Sequence, residues 1–220
     1  MVLGLTVLLG LTRCFPPPLD ETGLKCDSKR PCSDGYVCFD GLCYRDGEVD
    51  AGPANWLVNG DLEEFLHDGG VVGWVAKPGT LTHELNSPHG GRSAVRLAGQ
   101  KGDGGNSPAM YPLAMVPSPQ TGQTWCVAAF VRTIPSDAGF TVSLTIRETL
   151  DGGTVIGPTA KLAVIGRTWT QMENAYTTTS DGVGLDVRVM FNSNPTNTAD
   201  AIIIDDVRLK RSLTDRCAWP

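Results

Sequence analysis

At 220 residues and 41% hydrophobic content, the chain is long enough for one sizeable domain plus a small accessory piece. The net charge is −6, of which −4 falls in residues 20–50 (eight acids against four bases), and no basic patch of the kind that grips nucleic acid is present, so that class is set aside. The 26 glycines and 15 prolines break the chain into short pieces and point to an all-β fold.

Residues 1–14, MVLGLTVLLGLTRC, are apolar up to Arg13. They fall short of the about 20 apolar residues that a bilayer span needs and read as the hydrophobic part of a secretion signal. The closing LTRC resembles the lipobox of bacterial lipoproteins, although Arg13 stands where that pattern has a small residue. The resemblance implies lipidation of Cys14, contact with a membrane only through that lipid, and a location at the cell envelope or outer surface; plain secretion and an unprocessed N-terminus are the alternatives. Seven cysteines occupy positions 14, 26, 32, 38, 43, 126 and 217. Assigning Cys14 to lipid leaves six, enough for three disulfides in an oxidising compartment.

Residues 15–25 begin FPPP and form a stiff, then polar, tether. Residues 26–44 carry four cysteines, Cys26, Cys32, Cys38 and Cys43, in a piece too short to bury a core, so disulfides must order it. Of the three connectivities, 26–38 with 32–43 is the one taken here. Zinc is the rival, but the tight CxxC pairs of zinc knuckles are absent. This piece resembles the short cysteine-rich modules of bacterial surface lipoproteins. Residues 45–54 are an acidic, glycine-containing linker without the spacing of a calcium-binding EF-hand loop.

From Asn55 to Pro220 short strands alternate with turn signals such as KPG, SPHGG, SPQTG, DGG and NSNPTN. Strands are expected at about 72–76, 80–85, 93–98, 109–116, 124–133, 140–148, 154–164, 168–177, 185–192 and 201–210. No helical pattern intervenes, so an antiparallel sandwich or jelly roll follows. TWCVAAFVRT (124–133) is apolar on both faces and belongs in the middle of a sheet. Cys126 within it and Cys217 beyond the last strand remain to pair, which ties down the tail. In AIIIDDVRLK (201–210), period-two alternation puts Ile203, Asp205, Val207 and Leu209 on one face, and Asp206, Arg208 and Lys210 on the other. Asp205 then needs a partner: a buried carboxylate must be hydrogen-bonded, paired, protonated or metal-bound.

Taken in order, NWLVNGDLEE (55–64), GW (73–74), SPHGGRSAVRL (87–97), TGQTWCVAAFVRT (121–133), RTWTQMENAYTT (167–178) and AIIIDDVRL (201–209) resemble carbohydrate-binding module families 4, 9, 16 and 22. The resemblance covers about 155 residues and implies a jelly-roll β-sandwich. It also implies a structural Ca²⁺ held by Glu63 and Asp205, with the carbonyl of Asp61 as a further ligand. Against this stands the alternative that Asp205 is held by backbone N–H groups or an arginine. Sugars would stack on exposed aromatic rings. Trp74 and Trp169 are expected in the core, Trp125 and Tyr176 packed, and Phe130 on either side. Tyr111 and Phe191 are the surface candidates, with Asn106, Arg147, Glu148 and Asn192 as polar contacts.

The expected function is a non-catalytic, exported binding protein recognising a glycan. The alternative is a structural or protein-interaction module with a protein partner and the same fold. No HExxH or GxSxG motif is present, and Asp205 and Asp206, adjacent and facing opposite ways, cannot flank a glycosidic bond.

Overall fold

The computed structural model describes residues 24–26, 29–34, 36–39, 42–45, 55–99, 107–117, 119–134, 140–149, 155–181, 184–192, 200–212, 217 and 219. Cys14 and Asn106 lie outside the described residues. The chain divides into two compact units, Met1–Val49 and Asp50–Pro220.

In the first unit, β1 (Tyr36–Phe39) and β2 (Leu42–Arg45) form an antiparallel hairpin with Cys38 opposite Cys43. A disulfide joins Cys32 to Cys43, with Cα atoms 5.7 Å apart. Cys26 is also disulfide-bonded, while the side chain of Cys38 lies outside the described residues. Those bonded sulfurs leave no thiolates for zinc, and the hairpin is ordered by cross-links in place of a core.

The second unit packs two antiparallel sheets. One runs in the order β10 (Val155–Ile165), β9 (Phe140–Thr149), β12 (Gly184–Phe191), β6 (Ala109–Pro112), β3 (Trp74–Ala76), with β7 (Val116–Pro117) paired to β12. The other runs β11 (Thr170–Thr177), β8 (Thr124–Ile134), β13 (Ala201–Ser212), β5 (Ala94–Ala98), β4 (Thr80–Glu84). Among the described residues there is no helix.

Alternation explains the layering. Trp125, Val127, Ala129 and Val131 of β8, Ile202 and Ile204 of β13, and Val142, Leu144 and Ile146 of β9 all enter one core, while the intervening positions face outward. Trp74, Trp125 and Tyr176 are buried as expected. Phe191 is a correction: it is fully buried and meets Phe140 edge to face at 4.9 Å, because it continues the inward phase of Leu185, Val187 and Val189. Glu148 is corrected likewise. It extends the inward phase of Ile146 and is buried, accepting hydrogen bonds from Tyr176 Oη (2.6 Å) and from the backbone and hydroxyl of Thr179. Burial raises the pKa of Glu148, but these bonds and one from Ser180 outweigh it, so the carboxyl ends below its usual value.

Strict alternation also fails in β13. The register against β8 shifts between Asp205 and Arg208, and Asp206 has φ +47°, a left-handed conformation that aspartate tolerates better than most residues. The bulge changes the phase: Ile202, Ile204, Val207 and Leu209 face the core, and Asp205 does not share their face.

The N-terminal motif of this unit is stitched to that bulge. Asn55 Nδ2 donates to Val207 O (2.6 Å), and Asn55 Oδ1 accepts from Leu209 N (2.9 Å). Gly60 O accepts from Val207 N (2.7 Å), so close that a Cβ on Gly60 would lie 2.4 Å from Val207 O, and only glycine fits. At the other end, Cys126 and Cys217 are disulfide-bonded with Cα atoms 5.5 Å apart, and Lys210 Nζ lies 4.9 Å from the centroid of the Trp219 ring.

Candidate functional site

The two carboxylates of AIIIDDVRLK have separate tasks. Asp205 is fully buried and accepts three backbone N–H bonds: His89 N (2.8 Å) and Gly90 N (3.1 Å) on Oδ2, and Asp206 N (2.7 Å) on Oδ1. Glu63, from the N-terminal motif, holds the next part of the same segment, accepting Arg92 N (2.8 Å) and Ser93 N (3.2 Å) on Oε1 and Ser93 Oγ (3.1 Å) on Oε2. Gly91, at φ +56°, passes so close to Glu63 that a Cβ there would lie 1.9 Å from Oε1. The segment 87–93 is thus clasped by one carboxylate from each end of the domain.

The carboxylates of Glu63 and Asp205 do not fit the Ca²⁺ shell that the resemblance implies. Calcium needs converging oxygens, whereas the partners aimed at Glu63 and Asp205 are N–H and O–H donors, which suit an anion. Asp61 is exposed. Among the described residues the only cluster of at least three His, Cys, Asp or Glu ligand atoms is Cys26, Cys32 and Cys43. Burial pushes the pKa of Asp205 up to about 6, against the pull of its amide donors and with added repulsion from Asp206. Asp206 faces out and meets His89 Nδ1 at 2.7 Å and Arg208 at 3.6 Å.

His89 stacks on Phe130 with centroids 3.5 Å apart, and Trp169 stands edge-on to it at 5.7 Å. Trp169 is a further correction. It precedes β11 and lies half-buried under the Arg132 guanidinium, with Nε1 donating to Ser87 O (3.3 Å), rather than in the core. His89 and Phe130 cover one face of each other, Arg132 lies over Trp169, and the group braces the clasped segment.

The outer face of the other sheet is different. Outward positions of β9, β12 and β6 bring together Arg147, Asp186, Arg188 and Tyr111. Arg147 sits opposite Asp186 in register and donates from both Nε (2.7 Å) and a terminal nitrogen to Asp186 Oδ2. Arg188 Nε donates to the same oxygen (3.0 Å). The Arg188 guanidinium then lies over the Tyr111 ring, 5.1 Å from its centroid. Burial raises the pKa of Asp186, and the charge and hydrogen bonds of Arg147 oppose that rise. Beside this row lie Ser143, Thr145 and Met190, with Leu162 and Val164 of the edge strand β10 exposed at 60% and 73%.

Two of the expected contact residues, Tyr111 and Arg147, therefore share one face, joined by Asp186 and Arg188, which the sequence reading did not single out. The signal was present: in GLDVRVMF (184–191) the charged residues alternate with the apolar ones, which puts Asp186 and Arg188 together on the outward face of a strand.

No protein-family model and no curated protein matches the sequence. Solved structures match the fold. The CBM22-1 xylan-binding domain from Paenibacillus barcinonensis Xyn10C superposes with a TM-score of 0.50 at 14% identity, covering 72% of this chain and 93% of that one. A family 16 carbohydrate-binding module gives 0.51 at 15%, covering 70% and 99%. The enzymatically active domain of bacteriophage CBA120 tailspike protein 4 gives 0.55 at 12%; 72% of this chain is covered, and only 22% of the tailspike chain. At these identities the likeness establishes the fold, a jelly-roll-like β-sandwich of the kind found in carbohydrate-binding modules.

Proposed function

We propose that the second unit is a non-catalytic glycan-binding module, and that the glycan lies across the outer face of β9, β12 and β6. The observation that carries this is the row Arg147, Asp186, Arg188, Tyr111: polar, partly buried, and laid across three adjacent strands as an extended ligand requires. The fold shared with a xylan-binding domain and a family 16 module supports it. Of the row's four side chains only Asp186 is a carboxylate, and two arginines engage it, so the pair of free carboxylates that glycosidic cleavage needs is not supplied there. The amide clasp on Glu63 and Asp205 does the fastening for which a cation would otherwise serve. A signal at residues 1–14 with lipid on Cys14, followed by a proline-rich tether, would hold the module at an envelope surface.

Affinity electrophoresis of the full chain through gels containing soluble polysaccharides tests this. Retardation by at least one polymer is expected, weakened about tenfold, or ~1.4 kcal/mol, by Tyr111→Ala or Arg147→Ala. Free migration through every polymer would sink it. A protein partner is the second reading, favoured by the exposed Leu162 and Val164 on the unpaired edge of β10. It is selected if Leu162→Lys abolishes capture of a partner that soluble sugars do not displace.

A further inference from the structure

Resting on the glycan-binding reading above, we infer that the ligand is an acidic polysaccharide, one whose ring carboxylate docks on the guanidiniums of Arg147 and Arg188. Three features of the face lead there.

The first is charge. The cluster sets two arginines against one aspartate, a local surplus of +1 in a chain whose net charge is −6. Such a spot has no counterpart in the general charge of the protein, which repels long polyanions that lack a specific fit. The second is donor count. Each guanidinium carries five N–H donors in a planar fork. Both ion pairs converge on a single atom, Asp186 Oδ2, through Nε and one terminal nitrogen of Arg147 and Nε of Arg188. The remaining terminal donors make no hydrogen bond to a described residue, and they suit the bidentate geometry of an incoming carboxylate. Asp186 aligns them: its side chain is 8% exposed, while those of Arg147 and Arg188 are 18% and 29% exposed. A partly dehydrated guanidinium forms a stronger bond to an anion than one free in water.

The third is the state of Tyr111. A neutral sugar stacks on a bare ring face, but here the Arg188 guanidinium lies over the ring, and the register partner on the other flank is Val75 of β3. The tyrosine thus braces a cation and offers the ligand its edge and hydroxyl. Met190, partly exposed beside the cluster, can lie against a ring C–H face, which makes a sugar acid a better fit than an isolated anion.

The test is the same gel retardation, run with polygalacturonate, alginate, hyaluronate and glucuronoxylan, each beside its carboxyl-reduced counterpart, which keeps the backbone and loses the charge. The expected result is that at least one acidic polymer retards the wild type, that its reduced form binds at least tenfold more weakly, and that binding weakens between 50 and 300 mM salt. Arg188→Gln, checked for an unchanged melting midpoint, is expected to remove the preference. Equal binding of a polymer and its reduced form, insensitive to salt, overturns the inference while leaving glycan binding intact. Failure of every polymer, acidic or neutral, overturns both.

Discussion

Replacing Cys217 with serine is expected to lower the unfolding free energy by about 4 kcal/mol and the melting midpoint by roughly 10 °C. The bond closes a loop spanning 91 residues from near the start of β8 to the tail, and in the chain-entropy account the stabilisation grows with loop length. It also fixes the segment that lays Trp219 beneath Lys210 on the outer face of β13. Calorimetry of the full chain reads this directly. A fall of less than about 1 kcal/mol would mean that the tail is held by packing alone, or that the unfolded chain stays compact without the bond.

Asp205→Ala is expected to cost about 3 kcal/mol at pH 5, because three amides at a fully buried acceptor lose their partner together. Asp205→Asn is expected to recover only part of this, since its amide offers one acceptor oxygen where the carboxyl group uses both. The pH dependence has a definite sign. Burial raises the folded pKa from 3.8 to about 6, so the native state holds this proton more tightly than the unfolded chain. Stability from this group is fully present below about pH 4 and is lost as pH rises through about 6. The gap between wild type and Asp205→Ala should therefore narrow from pH 5 to pH 8. Asp206, which shares the bulge and pairs with His89 and Arg208, repels the Asp205 carboxylate, so its loss of that neighbour is part of the measured gap. Midpoints are also expected to match in EDTA and in millimolar calcium, since the clasp is built of amides. A calcium-dependent rise that Asp205→Ala lacks would restore the cation.

Much of the sandwich is legible in the residues because strands bury one face and turns need special backbone. The alternation in TWCVAAFVRT and its neighbours, and the glycines and prolines between them, place all ten expected strands within a few residues of β3 to β13. The misplacements share a cause. Asp205 was phased with Val207 and Leu209 because one extra residue at a left-handed Asp206 is invisible to period-two counting. Phe191, a surface candidate for sugar stacking, instead follows the inward phase of its own strand. Trp169 is expected in the core as the start of a strand at 168–177, whereas the strand begins at Thr170 and leaves it just outside, where packing does not claim it. The Arg147, Asp186, Arg188, Tyr111 row is a cross-strand feature: β9, β12 and β6 are far apart in sequence, and only their pairing order brings these side chains into line.

The central claim is that this row is the binding face. Amide chemical shifts of the full chain, followed while an acidic oligosaccharide is titrated in, locate the ligand without any mutation. The account predicts shifts centred on Tyr111, Thr145, Arg147 and Arg188, and none at His89, Phe130 or Trp169 on the opposite sheet. Shifts confined to that opposite aromatic group, with the arginine row unmoved, would contradict it.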